Sequence, residues 1–132
     1  MRLVVLLAVA GAAVVLAPSA VACSCIAPGT PRADLARADG AIVGVYLGRR
    51  RLSATSFEYT FRVERRVKGR FPVRLRVVSG TNSADCGLQV RRRQRVALLL
   101  HRVKGRWHSS LCDQRRGSFF RGIPSRSLAS CG

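Results

Sequence analysis

Residues 57–67, FEYTFRVERRV, contain the clearest structural pattern in the chain. Apolar and aromatic side chains occupy every second position at the start of this stretch, and polar or charged side chains lie between them. This two-residue period is typical of a β-strand with one face in a core and the other in solvent. The predicted faces are Phe57, Tyr59, Phe61, Val63 and Arg65 on one side, and Glu58, Thr60, Arg62, Glu64 and Arg66 on the other.

Further strands are predicted on both sides of this stretch. The stretch at 41–48 is almost wholly apolar, which indicates a central strand, and the stretch at 96–101 is interpreted as a buried strand. At 73–77, apolar residues alternate with arginines. Glycine-containing turns separate the strands at 68–70 and 103–106. The predicted strands cover residues 41–48, 73–77, 88–90, 96–101 and 107–112.

A short helix is predicted before the first of these strands, over residues 31–39. Thr30 is a favourable N-cap, Pro31 suits the first helical position, and Gly40 suits the position after the helix end. We expect Leu35 to pack inward. Five or six strands with one or two short helices predict a mainly β fold, and we expect a five-stranded OB-type Greek-key barrel.

The first residues have the pattern of a secretory signal peptide. Arg2 precedes a mostly apolar run over residues 3–17, and Ala20-Val21-Ala22 has the form of a cleavage site. About 20 apolar residues are needed to span a bilayer, and this run is shorter. We therefore expect cleavage before Cys23 and export of the remaining chain.

Two alternatives to this cleavage are an uncleaved membrane anchor and a bacterial lipoprotein, which is cut just before a cysteine that then carries lipid. Lipoprotein signals usually have Leu three residues before that cysteine, where this chain has Ala20. We expect a secreted or cell-surface protein, with a lipid-anchored Cys23 as the alternative. The predicted parts are a signal peptide over 1–22, an OB-type domain over 23–113, and a basic, irregular tail over 114–132.

The five cysteines all lie after the predicted signal peptide. An exported chain of this size with few aromatic residues is typical of a disulfide-supported domain, because its core is modest. Five is an odd number, so one thiol is unpaired, linked between molecules or modified. If Cys23 carried lipid, four cysteines would remain and Cys131 would have a possible partner. The five are Cys23, Cys25, Cys86, Cys112 and Cys131.

The chain is strongly basic, with 24 lysine and arginine residues against 6 acidic ones and a formal net charge of +18. Such a charge attracts anionic surfaces and polymers. We expect no nucleic-acid partner, because an exported protein seldom meets one and the strand aromatics are assigned to the core rather than to base stacking. The candidate residues for binding an anionic surface are Arg49, Arg50, Arg51, Arg91, Arg92, Arg93 and Arg95.

No recognisable catalytic arrangement occurs in the sequence. His101 ends an apolar strand and His108 follows Trp107, so each is interpreted as a structural or surface histidine. The motifs Cys23-x-Cys25 and His108-x3-Cys112 do not match the common zinc-ligand spacings. We therefore predict a protein that is not an enzyme and has no cofactor or metal of its own.

Several short motifs follow one another in a distinctive order. They are Cys23-Ser24-Cys25 before a proline-containing loop, Arg37-Ala38-Asp39 before the strand at 41–45, the strand 59–63 with Val67-Lys68-Gly69, a lone Cys86, and Ser110-Leu111-Cys112. This order resembles the netrin-like module of the tissue inhibitors of metalloproteinases and its bacterial relatives. The resemblance extends from residue 23 to about residue 113, and the C-x-C motif is its most specific part.

The resemblance implies a five-stranded OB barrel whose two N-terminal cysteines are pinned to it by disulfides. By order and position, it implies that Cys23 pairs with Cys86 and that Cys25 pairs with Cys112. Cys131 then stays unpaired, because the segment before the first strand lacks the family's cysteine. Each bridge closes a long loop, which stabilises by on the order of 4 kcal/mol in the chain-entropy model.

The resemblance also implies an inhibitory mechanism. In this family the free α-amine and the carbonyl oxygen of the first cysteine chelate a protease's catalytic zinc and displace its water. Cys23 would ligate the partner's zinc, Ser24 would enter its specificity pocket, and Cys25 would fix the ridge. The expected function is inhibition of a zinc metalloprotease; the alternative is a cell-envelope module whose arginines bind an anionic polymer, a lipid or a protein partner.

Overall fold

The computed structural model describes residues 23–125. The predicted signal peptide over 1–22 and residues 126–132 lie outside the described residues, and so does Cys131. Over the range that is described, no helix is both long enough and apolar enough to cross a membrane.

Six strands form a single sheet, joined by short helical segments and loops. The strand order is β1-β2-β3-β5-β4-β6, and an additional pairing between β1 and β4 closes five of the strands into a ring. β3 and β5 are parallel, and the other pairs are antiparallel. The prediction of a mainly β fold is therefore confirmed. In chain order the elements are α1 (Pro31–Arg37), β1 (Gly40–Arg51), β2 (Ser56–Lys68), β3 (Arg74–Gly80), β4 (Arg95–Val103), β5 (Arg106–His108), a 3₁₀ turn (Leu111–Asp113) and β6 (Gln114–Arg116).

The main core fills the inside of this ring. Tyr59, Phe61 and Val63 of β2 are buried there, and Phe57 packs against them at the edge. The alternation predicted for the start of β2 is therefore confirmed. Burial of these large side chains stabilises the fold by about 25 cal/mol for each Å² of apolar surface removed from water.

A β-bulge near the end of β2 reverses this alternation. Val63 pairs with Gly44 and Arg65 pairs with Val43, so Glu64 has no partner opposite it on β1. Beyond the bulge, Val67 packs outside the ring in a second core. The prediction that Arg65 shares the face of Val63 is therefore wrong, because an unpaired residue shifts the two-residue period by one.

The second core lies on the outer side of β1 and β4, under α1 and the segment after β6. Its centre is Phe120, which has no exposed surface, with Phe119 and Ile123 beside it. β6 itself pairs with β4. The prediction of an irregular tail is therefore wrong for residues 114–116, which form β6; residues 117–125 have no helix or strand, but their apolar side chains pack on the sheet.

Helix α1 is shorter than predicted and ends at Arg37. The Thr30 side chain accepts a hydrogen bond from Ala33 N, as an N-cap does, and Pro31 opens the helix. Lys68 Nζ donates to the carbonyl oxygens of Leu35 and Ala38, at 2.7 and 2.5 Å, which satisfies acceptors at the helix end. Leu35 is partly buried against the second core.

Two other predicted strands differ from the structure. Residues 88–90 are not in a strand, although Leu88 is buried and its N–H donates to Ser79 Oγ at 3.1 Å. The predicted last strand over 107–112 is limited to Arg106–His108. After His108 the chain leaves the sheet. Leu111 N donates to Cys86 O at 2.9 Å, and the 3₁₀ turn Leu111–Asp113, which contains Cys112, begins at this contact.

Candidate functional site

The N-terminal ridge, defined as Cys23, Ser24 and Cys25, lies on the surface without regular secondary structure. Ser24 and Cys25 are exposed, and Cys23 is half-buried. Ile26 follows with 88% of its surface exposed.

Two disulfides fix this ridge to the body of the protein. They join Cys23 to Cys86 and Cys25 to Cys112, each with a Cα–Cα distance of 5.2 Å. These are the two pairs that the resemblance implies. The separations of 63 and 87 residues mean that both bonds tie the beginning of the described chain to its second half.

The two disulfides lie side by side. Cys23 Sγ and Cys112 Sγ, which belong to different disulfides, are 3.7 Å apart. The sulfurs of Cys23, Cys25 and Cys112 all lie within 4.8 Å of one another, a spacing that free thiolates would need to hold a metal ion. Because each of these sulfurs is already bonded to another sulfur, it is not a thiolate ligand.

The anchor of the first disulfide is a tight loop. Asn82 Oδ1 accepts hydrogen bonds from the backbone N–H groups of Ala84 and Asp85, at 2.8 and 3.1 Å. Gly87 N donates back to Asn82 O at 2.8 Å. This Asx-type turn orders the backbone around Cys86 and so limits how far Cys23 can move.

A buried ion pair supports the second disulfide. Asp34 in α1 has no exposed surface, and its Oδ2 accepts from Arg115 Nε and Nη2 at 3.2 and 2.9 Å. Arg37 donates to the other oxygen. Arg115 Nη1 also donates to Cys112 O at 2.6 Å. Arg115 therefore connects the helix, β6 and the cysteine that holds Cys25.

The charge of Asp34 is stabilised by these two arginines. Burial raises the pKa of the Asp34 carboxyl, but the hydrogen bonds and the charges of Arg115 and Arg37 outweigh it, so the pKa lies below its usual value of 3.8. The sequence places Asp34 on a short amphipathic helix and gives no sign of its burial. Only the contact between α1 and β6 accounts for it.

A small cavity of about 260 Å³ lies between the ridge and the body. His101 and Asp113 line it, and their closest side-chain atoms, Nε2 and Oδ1, are 3.3 Å apart. Ser110 Oγ donates to the other oxygen of Asp113 at 2.7 Å. The carboxylate lies between the hydroxyl and the imidazole, so His101 does not accept the serine proton in this arrangement.

His108 lies on β5, opposite His101 in the sheet register. Burial lowers the pKa of the His108 imidazole, and the charge of Arg106 lowers it further. Both effects favour the neutral ring. The expectation of a structural or surface role stays a prediction for both histidines.

The arginines predicted to bind an anionic surface fall into three environments. Arg49 and Arg51 lie against the ring of Phe57, with guanidinium carbons 4.1 and 4.8 Å from its centroid. Arg50 is paired with Glu58 at 2.9 Å, and Arg95 with Glu64 at 2.7 Å. The remaining three, Arg91, Arg92 and Arg93, are exposed in the loop before β4.

Two of these groups meet at Tyr46. Arg93 N donates to Tyr46 O at 2.8 Å, which brings the loop to β1. Burial raises the pKa of the Tyr46 hydroxyl, and the charges of Arg49 and Arg92 act in the opposite direction. The structure thus brings Arg49 and Arg92 to one rim of the ring, but it places Arg50 and Arg95 on the outer face of the sheet.

Three further arginines lie beside Arg50 and Arg95 on that outer face, and the sequence analysis did not select them: Arg62, Arg74 and Arg76. Arg74 and Arg76 alternate with the buried residues Leu75 and Val77, a signal that is visible in the sequence. Their grouping with Arg62 depends on the pairing of β2 with β3, which local periodicity does not specify.

No protein-family model matches the sequence, and no curated protein is significantly similar to it.

Proposed function

We propose that this protein is an exported, non-catalytic module of the netrin-like type, built on an OB-type barrel, that inhibits a zinc metalloprotease through its N-terminal ridge. The strand order β1-β2-β3-β5-β4, closed by β1 with β4, supports the OB assignment. The parallel contact between β3 and β5 is also expected of this Greek-key topology.

The observation that carries the proposal is the double anchoring of an exposed C-x-C segment. Ser24 is exposed between two cysteines, and each of these is bonded to a different part of the body. A backbone held in this way loses little conformational entropy when it enters a cleft. The disulfides also favour an extracytoplasmic location, where such bonds persist.

The proposed chemistry needs cleavage of the bond before Cys23. The new α-amine has a usual pKa near 8, and a metal ion favours its neutral, ligating form. The amine and the carbonyl oxygen of Cys23 would bind the zinc of the partner protease in place of its catalytic water. Ser24 would then point into the pocket next to that zinc.

The test compares two forms of the exported protein, one beginning at Cys23 and one with a single alanine before it. Both keep the two disulfides, so both are expected to unfold at the same temperature. We expect the extra residue to raise the inhibition constant against a susceptible zinc protease by at least about 100-fold, about 3 kcal/mol. An unchanged inhibition constant would contradict the chelation mechanism.

A lipid-anchored Cys23 is incompatible with the Cys23–Cys86 disulfide, because thioether formation consumes the same sulfur. The intact mass of the protein exported by its own host distinguishes the two. A chain that begins at Cys23 and gains two hydrogen atoms for each reduced disulfide supports the proposal. An added diacylglyceryl mass refutes it and favours a membrane-anchored envelope module.

A further inference from the structure

The outer surface of the sheet has a set of arginines that the proposed inhibitory ridge does not use. Directly paired residues on neighbouring strands lie on the same side of a sheet. Val45 of β1 pairs with both Arg62 and Arg95, and Arg62 pairs in turn with Arg74. These three arginines therefore form a row across β4, β1, β2 and β3.

Two more arginines lie on the same side, one and two rows further along the strands. Arg76 pairs with Thr60, and Arg50 pairs with Glu58. We call these five residues the arginine face: Arg50, Arg62, Arg74, Arg76 and Arg95. Neighbouring strands are about 4.8 Å apart, so the face is about 14 Å wide from β4 to β3.

Two glutamates hold four of these arginines in place. Glu58 lies 2.9 Å from Arg50 and 3.8 Å from Arg76, and Glu64 lies 2.7 Å from Arg95 and 3.5 Å from Arg62. The four arginine side chains still keep between 52% and 71% of their surface exposed. Each guanidinium has five N–H donors, so most donors stay available to an outside acceptor.

Five arginines against two glutamates leave an excess of three positive charges on this face. Arg74 is exposed, and among residues 23–125 no carboxylate lies within salt-bridge distance of it. The four paired side chains are held by these ion pairs before any ligand arrives, which lowers the entropy cost of binding.

The space above Gly48, near the middle of the face, is open. Gly48 pairs with Thr60, and a Cβ atom placed on Gly48 would meet no other atom within 4 Å. The row that contains Arg62 and Arg74 lies on one side of this strip, Arg50 lies on the other, and Arg76, which pairs with Thr60, lies at its β3 end. A narrow chain lying along the strip would therefore meet guanidinium groups on both sides.

We propose that the arginine face binds a linear polymer that carries phosphate groups. Guanidinium groups match phosphate oxygens in two-point hydrogen bonds, and arginine is well suited to such contacts when it is exposed and ordered. The face is a binding surface in addition to the N-terminal ridge, and its function does not depend on protease inhibition.

Two other anionic partners fit the face less well. The exposed large apolar side chains in the described part are Ile26, Val73 and Val103, and none occupies a position on the face, so nothing there inserts into a lipid bilayer. The aromatic residues of β2 point into the ring and offer no base-stacking platform on this side.

The test uses long-chain inorganic polyphosphate as the probe and two charge-matched triple variants of the exported protein. The first changes Arg62, Arg74 and Arg76 to Gln, and the second changes Arg32, Arg106 and Arg121, exposed arginines outside the face, to Gln. We expect the first to weaken binding by about tenfold or more and the second by less than about threefold. The plot of log association constant against log salt concentration should become shallower, by about 2 to 3 units of slope, in the first variant. Each lost phosphate contact reduces the steepness by about 0.7 to 0.9.

Equal losses in the two triple variants would overturn the proposal, because they would mean attraction by net charge without a site. Tighter binding to phosphatidylglycerol vesicles, or to a single-stranded oligonucleotide of equal charge, would also overturn it in favour of that partner. The single variant R74Q keeps all the ion pairs and should weaken polyphosphate binding while the unfolding temperature stays unchanged. Polyphosphate affinity that R74Q leaves unaltered would contradict the assignment.

Discussion

Asp34 has an environment that no local pattern in the sequence indicates. It belongs to a helix of seven residues, yet its carboxylate is fully buried between Arg115 and Arg37. Arg115 is itself 9% exposed, so both members of the pair are shielded from water. A charge in such a place needs its partner, because removing one member leaves the other buried and uncompensated.

We expect D34N to lower the free energy of unfolding at pH 7 by about 3 kcal/mol. The control E64Q removes a carboxylate from an exposed pair with Arg95 and should cost less than about 1 kcal/mol. Denaturant unfolding with the disulfides intact measures both. Similar small losses for the two variants would show that the buried pair is not a principal support of α1.

The pH dependence of this pair has a definite sign. The pKa of Asp34 is lower in the folded protein than its usual value of 3.8, so the folded state binds its proton less readily than the unfolded state. The stabilisation is therefore complete above about pH 4 and is lost as the pH falls through the folded-state pKa. The difference in stability between the wild type and D34N should shrink over that range, and a constant difference would contradict the assignment.

At the scale of the elements, β1 is shaped by its close approach to β2. A Cβ atom on Gly44 would lie 2.9 Å from the backbone oxygen of Arg62, whereas one on Gly48 would meet nothing within 4 Å. Gly44 is next to the register shift that follows Val43, where the strands depart from regular pairing. The two glycines of one strand therefore have opposite steric requirements.

We expect G44A to destabilise the protein by about 1 to 3 kcal/mol, because the backbone of β2 must move away from the new methyl group. G48A is the matched control and should be neutral or stabilise by up to about 1 kcal/mol, since alanine restricts the unfolded chain. Thermal unfolding of both variants measures the difference. Equal midpoints would show that the two strands separate at Gly44 without cost.

The elements also show where sequence patterns were informative. The alternation through Phe57, Tyr59 and Phe61 predicted which face of β2 is buried, because neighbouring side chains in a strand alternate by covalent geometry. The same pattern failed at Arg65, because a bulge depends on how β2 meets β1. The three-residue motif Cys23-Ser24-Cys25 identified the ridge, whereas the support that Arg115 gives to it was not visible in the sequence.

At the scale of the whole molecule, hydrophobic cores pack against both faces of β1 and β4, and α1 covers the outer one. The ring interior is one core, and Phe120 is the centre of the other, outside β1 and β4. Arg65 Nη1 donates to Phe120 O at 2.8 Å, so the segment after β6 is fixed to β2 as well. The described part of the C-terminal region is therefore a structural part of the domain.

We expect F120A to lower the free energy of unfolding by about 3 to 5 kcal/mol, because it opens a cavity under α1. R121A changes the next residue, which is exposed, and should change stability by less than about 0.5 kcal/mol. Denaturant unfolding compares the two. A small loss for F120A would mean that the second core contributes little and that the domain ends near residue 113, as the sequence alone predicted.

Local sequence patterns were enough to predict the mainly β class of fold, the strands with the clearest alternation and the cysteines of the N-terminal ridge. These features follow from local periodicity and from residue types whose chemistry is distinctive. Four other features became visible only in the folded chain: the closure of β1 on β4, the burial of Asp34, the second core around Phe120, and the arginine face. Each depends on contacts between residues far apart in the chain, and no local pattern specifies which strand or helix a given face will meet.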